Sequence, residues 1–197
     1  MSNATNRMEQ TKKLVLGAIL TALVILLQLI GSFIRFGPFS ISLVLVPIVI
    51  GAATCGYKIG AWLGFVFGAV VLLSGDAAAF LTIDAFGTFV TVLLKGTLCG
   101  LAAGLVYKMV EKFNRYVAVA SAAVVCPVVN TGIFLLGCLV FFLKAIAEWG
   151  AGAGFETTME YMFLGLAGGN FLFELAVNIV LCPIIVRIIN FAINENQ

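Results

Sequence analysis

The sequence predicts an all-α integral membrane protein, a compact bundle of six transmembrane helices with both termini cytoplasmic. Three observations predict it. Hydrophobic residues make up 62% of the 197-residue chain and charged residues only 10%, against roughly 45–50% and 25% in soluble domains. A water-soluble domain of this size leaves much of its surface exposed and has nowhere to put so much apolar area. Uncharged stretches cover 14–34, 36–57, 59–75 and 116–143, close to or above the roughly 20 residues that cross a bilayer. Finally, the basic residues take sides. Arg7, Lys12, Lys13, Lys58, Lys108, Lys112, Arg115 and Arg187 fall on one side of the expected spans, and Arg35 and Lys144 on the other, beside Asp76, Asp84, Glu148, Glu156 and Glu160. The basic-rich side is cytoplasmic.

Taken in order, residues 1–12 form a polar cytoplasmic tail without a cleavable signal pattern, so the first span is expected to be retained. Within it, Ser2-Asn3-Ala4 has the look of a cloning remnant. Residues 13–192 are expected to form one six-helix transmembrane domain, and 193–197 a second tail. Helices are expected at 13–34, 41–55, 57–75, 84–108, 116–144 and 161–191. Gly37-Pro38 breaks the first from the second. Gly56 separates the second from the third, Gly75-Asp76 opens the turn before the fourth, and the charged run 108–115 precedes the fifth. The longest connection, 145–160, carries Gly150, Gly152 and Gly154 with three glutamates.

Composition also excludes chemistry. The chain has no histidine, so Ser-His-Asp catalysis, HExxH zinc sites and histidine proton relays are absent. It has no GxxxxGK[ST] run, so it does not hydrolyse ATP through a P-loop, and neither the GxGD motif of intramembrane aspartyl proteases nor a diacidic headgroup-transferase signature occurs. A net charge of +2 gives no reason to expect nucleic acid. Cys55, Cys99, Cys126, Cys138 and Cys182 lie in apolar stretches without CxxC spacing and read as small core hydrophobes rather than disulfides or metal ligands. No cofactor and no enzyme activity are expected.

Glycines recur every fourth residue at Gly56, Gly60, Gly64 and Gly68, at Gly96, Gly100 and Gly104, and at Gly165 and Gly169. Such stripes let helix backbones approach closely. Ala18 and Ala22 form a weaker small-xxx-small pair on the first helix, either internal packing or a flat docking surface for another membrane protein.

Ionisable and amide side chains at membrane depth are costly and mark function. Lys95 lies mid-way along the fourth helix and Glu174 similarly deep in the sixth. Asn170, Glu174 and Asn178 are spaced i, i+4, i+8 on one helical face, which lipid cannot satisfy. Glu174 is expected to be the counter-charge of Lys95. Asn130 and Thr131 follow Pro127 on the fifth helix, where proline frees a carbonyl. Lys95, Asn130, Asn170 and Glu174 are the expected ligand contacts, with Arg35 and Trp149 from the outer connections 33–42 and 145–160. Asn178 is expected to be structural, and the two connections are expected to close over bound ligand.

The whole pattern resembles the substrate-binding S component of energy-coupling factor (ECF) vitamin transporters, over 14–190. The resemblance rests on size and helix number, on Ala18xxxAla22 as an AxxxA motif, and on the run 36–43 through 46–52 followed by Tyr57-Lys58-Ile59-Gly60-Ala61. It rests also on Leu94-Lys95-Gly96 with Gly100-Leu101-Ala102-Ala103-Gly104; the last two are similar to the riboflavin- and pantothenate-type branch. The resemblance implies a multi-pass protein of a bacterial cell membrane that captures a vitamin-like molecule outside the cell. It further implies docking, through Ala18 and Ala22, on a transmembrane coupling protein with two ATPase subunits, and toppling to carry the ligand inward. Where the family pattern often has arginine, this chain has Lys95, which keeps the charge and loses the bidentate fork.

Two other classes stay open. A self-sufficient secondary carrier or channel, with Lys95 and Glu174 in an ion pathway, transports without partners. An envelope scaffold binds no small molecule at all. Pantothenate is the first ligand suggested, with Lys95 complementing its carboxylate; riboflavin, pyridoxine-type vitamins, lipoate and a queuosine precursor stand beside it.

Overall fold

Residues 2–33, 35–36, 39–40 and 43–194 are described by the computed structural model, and almost all of them are helical. Helix α1 runs over Ser2–Phe33, through the segment expected as a tail. A two-residue antiparallel pair follows, β1 (Arg35–Phe36) with β2 (Phe39–Ser40), in the register Arg35 to Ser40 and Phe36 to Phe39. Then come α2 (Leu45–Thr54), α3 (Tyr57–Leu73) and the short α4 (Ala78–Leu81). The second half holds α5 (Ala85–Val110), α6 (Arg115–Phe141), α7 (Leu143–Gly152), α8 (Thr158–Glu160), a π-helical segment Tyr161–Gly168, and α9 (Gly169–Asn194).

Four stretches are long and apolar enough to cross a membrane: Gln10–Ser32, Ala85–Val110, Arg115–Phe141 and Thr158–Cys182. The second expected helix, 41–55, is shorter than its apolar sequence suggested. Helix α2 has ten residues, about 15 Å at 1.5 Å per residue, half of a hydrocarbon core of about 30 Å. Helix α3 has 17 residues and falls a few ångström short of that thickness.

The ends of α5 and α6 follow from local chemistry. Asp84 caps α5 by accepting from Gly87 N at 3.0 Å. Asn114 caps α6 by accepting from Tyr116 N at 2.8 Å and Val117 N at 3.2 Å. Each side chain satisfies donors that the first helical turn leaves open.

Helix α5 is the centre of the bundle, packed on α3 along one side and on α6 along the other. The first contact is made by glycine. A Cβ added at Gly60 would lie 2.6 Å from the Gly100 carbonyl oxygen, one at Gly68 2.8 Å from that of Val92, and one at Gly104 2.5 Å from Tyr57 Cα. At Gly64 and Gly96 the added carbon would overlap the other's carbonyl oxygen outright. Two of the expected stripe members act differently. Gly56 has open space around it and a φ of 96°, so it is the turn residue before α3. Gly169 also has open space, and Gly165 lies against the ring of Tyr161, so the third stripe joins no pair of helices.

The main core gathers Leu20, Val24, Leu45, Ile48, Leu63, Phe67, Val119 and Ile185 from five helices. A smaller cluster of Cys138, Phe142, Ile146, Met162 and Leu166 sits at the corner between α6 and α7. That cluster explains a second departure. The expected fifth helix, 116–144, ends at Phe141, and the expected loop 145–160 is helical over 145–152 and 158–160. Phe142, with φ −121° and ψ 9°, interrupts the helix. Ile146 and Gly150 then recur at helical spacing and are buried, which outweighs the glycine content that reads as loop. The outer faces stay apolar: Leu73, Phe113, Val140 and Val180 are among many large hydrophobic side chains left exposed, as a lipid solvent requires.

Candidate functional site

Glu174 is the deepest charged group, 1% exposed, on α9. Its carboxylate accepts from Asn170 Nδ2 at 3.2 Å and from Asn130 Nδ2 at 3.4 Å. The first bond spans one helical turn of α9, and the second ties α9 to α6. Asn178, one turn further on and fully buried, donates to the Glu174 backbone carbonyl at 2.8 Å. It is not among the residues that line the cavity described next.

A cavity of about 280 Å³ opens beside Glu174. Asn130, Thr131, Asn170 and Glu174 line one side and Lys95 of α5 another. Trp149 of α7 reaches it as well. Arg35 lies in β1, and its side chain, like those of the whole connection 33–42, lies outside the described residues.

Lys95 and Glu174 act on each other as opposite charges, without a direct ion pair. The Lys95 ammonium sits 5.6 Å from the centroid of Phe67 and 5.5 Å from that of Phe134. Among the described residues it makes no ion pair with Glu174, whose oxygens are turned to the two asparagines. The negative faces of two rings offset part of the cost of holding a cation here, and leave the ammonium's donors available to the cavity. Nor is Glu174 the only acidic group present. Asp76, expected only as part of an outer turn, lines the cavity and accepts from Gln28 Nε2 of α1 at 2.6 Å.

Gln28 and Asp76 were legible in part. A carboxamide inside the uncharged stretch 14–34 needs a polar partner in lipid. Gly75, with φ 83°, lets the chain turn back at the end of α3 so that Asp76 faces the bundle. The aromatic walls gave no such signal. Phe80 of α4 meets Phe134 at 5.7 Å, Phe142 at 5.0 Å and Trp149 at 5.5 Å, each edge to face, the arrangement that ring quadrupoles favour. Helices α4 and α7 thus meet over one side of the cavity.

Tyr161 reaches the cavity through the π-helical segment. At about 100° per residue, a position nine before Asn170 would lie on the opposite face of an α-helix. The wider i→i+5 turns over Tyr161–Gly168 rotate the chain less per residue and bring Tyr161 round to the face of Asn170 and Glu174. Leu166 and Ala167 complete the wall.

The arrangement is a small enclosure with an anionic, amide-rich side, one cation and aromatic walls, the usual form of a small-molecule site. It holds no cluster of metal-ligating side chains among the described residues. The family model for the ECF transporter substrate-specific component matches residues 12–186. The chain belongs to that family. A substrate-specific component is a transport subunit rather than an enzyme, and membership implies a small-molecule substrate and association with an ECF module. A search of curated proteins and one of solved structures each return no match. Apolar helices and family together describe a multi-pass membrane protein of transport.

Proposed function

We propose that this substrate-specific component captures a vitamin or related small molecule in the cavity between α5, α6 and α9 from outside a bacterial cell. It then delivers the molecule inward while docked on a transmembrane coupling protein with two ATPase subunits. One observation carries the reading: Lys95, Asn130, Asn170 and Glu174, from three helices, line one cavity together with Gln28 and Asp76, among side chains that are mostly apolar or aromatic. In the topology that goes with it, α2 and α3 count as crossings beside the four long stretches. Both termini then lie in the cytoplasm with the eight basic residues of that side.

Docking is assigned to α1. Ala18 and Ala22 are exposed one turn apart on its outer face, and small side chains let a partner helix approach. Replacing either by tryptophan is expected to reduce co-purification with the coupling protein and ATPases, and to reduce uptake, with binding to the isolated chain unchanged. Full assembly of both variants would reject the docking surface. Uptake by the chain alone in liposomes would favour a self-sufficient carrier instead.

Closure is assigned to α7 and the turn after it, with Trp149 on the cavity and Phe80 of α4 against it. Bound ligand is expected to slow amide hydrogen exchange over 143–157 relative to α3. Equal exchange with and without ligand would remove the lid role.

Pantothenate, suggested by the run after α1, would set its carboxylate on Lys95. It has no ring to lie against Phe80, Phe134 and Trp149.

A further inference from the structure

The cavity's own inventory narrows the ligand further. The Glu174 carboxyl accepts one hydrogen bond from each asparagine and keeps further acceptor positions to spare. Asn130 Oδ1 is buried and has no hydrogen-bond partner. The Asn130 amide hydrogen is engaged by Glu174 at 3.4 Å, so its oxygen is left for another partner. This edge of the site therefore carries more acceptor capacity than donors, and buried acceptors left unmet are costly. A ligand N–H or amino group supplies what is missing. The second amide hydrogens of Asn130 and Asn170 can meet a ring nitrogen or carbonyl beside it.

The walls select the body of the ligand. Phe80, Phe134 and Trp149 all line the cavity, and their rings offer aromatic surface to a planar guest. Aromatic pairs gain stabilisation beyond their area alone, and an acyclic chain cannot collect it. Lys95, fixed over Phe67 and Phe134, adds a cationic donor for a carbonyl or anionic substituent. At about 280 Å³ the space lies just under the usual range of ligand pockets, roughly 300 to 1,000 Å³, which favours a compact body.

We infer that the ligand is a compact planar nitrogen heteroaromatic bearing a ring N–H or amino group. Its flat body lies among Phe80, Phe134 and Trp149, and its polar edge meets Asn130, Asn170 and Glu174. The inference rests on the reading of this cavity as the capture site.

The test uses the full chain in detergent with Trp62→Phe, which leaves Trp149 as the sole tryptophan. It is titrated with cytosine, adenine, guanine, pyridoxamine and lumichrome, and with the non-aromatic comparators pantothenate and lipoate. At least one ring compound is expected to saturate the protein and change Trp149 emission. Its N-methylated analogue is expected to bind at least tenfold more weakly. Glu174→Gln is expected to weaken the parent ring by about tenfold to a hundredfold. Asn170→Ala, at a partly buried position, serves as a second variant should Glu174→Gln fail to fold. Saturation by pantothenate or lipoate but by no ring, with the same sensitivity to Glu174→Gln, overturns the ligand class and leaves the capture site standing. Ring binding that ignores both substitutions overturns the site as well. Saturation by no ring compound overturns the class whatever the comparators do. Ring binding without module-dependent uptake counts only against the transport reading.

Discussion

Substitution of Lys95, Glu174 or Asn170 is expected to produce a large loss of ligand binding in a bundle that still folds. Glu174→Gln keeps the shape of the side chain, removes the acid and leaves one oxygen where two accepted, so only one of Asn130 and Asn170 can still donate to it. Asn170→Ala removes a donor to Glu174 at 3.2 Å and leaves that carboxylate with one amide fewer. Lys95→Met removes the ammonium and leaves an adaptable thioether against Phe67 and Phe134, a contact that sulfur and aromatic rings tolerate well. Each loss of a buried polar contact is worth about 1–3 kcal/mol, roughly tenfold to a hundredfold in affinity. The measurement is the dissociation constant of the purified chain for the small molecule that co-purifies with it, identified by mass spectrometry. Binding as tight as the parent's in all three variants would make this face packing and move the pocket elsewhere.

The second large effect is on the fold. Gly64→Ala is expected to destabilise the bundle more than any other single methyl along α3. The new Cβ overlaps the Gly96 carbonyl oxygen, which is backbone and cannot rotate away. Helices α3 and α5 must separate, and overpacking of this kind costs about 1–3 kcal/mol and sometimes more. Gly132→Ala on α6 is the matched control, because its Cβ meets nothing within 4 Å. There the change is expected to be neutral or to stabilise, since a helical glycine loses more backbone entropy than alanine. Thermal unfolding midpoints in one detergent compare the two. A Gly64→Ala midpoint equal to the parent's would show that the α3–α5 contact is looser than its glycines indicate.

What the sequence determined by itself was the solvent, the helical class and the residues that could not face it. Lipid leaves every backbone and side-chain polar group to be satisfied inside the protein. Sixty-two per cent apolar composition and uncharged runs therefore specify spans, and Lys95, Asn130, Asn170 and Glu174 are conspicuous within them. Glycines four apart at Gly60, Gly64 and Gly68, and at Gly96 and Gly100, announced close helix contact because spacing along a helix translates directly into a face. Tertiary structure alone decided the rest. Which glycines pack and which only turn depends on what lies opposite, so Gly56 and Gly169 could not be told from Gly64 by spacing. Helix α7 exists because Ile146 is buried under a corner formed by residues up to 20 positions away, such as Met162 and Leu166, against the local preference of its glycines. Tyr161 enters the cavity through a π-helical segment that leaves no periodic trace in the sequence. And Lys95 lies over two rings, with Glu174 turned to two asparagines, because partners are chosen by proximity in space among several chemically acceptable ones.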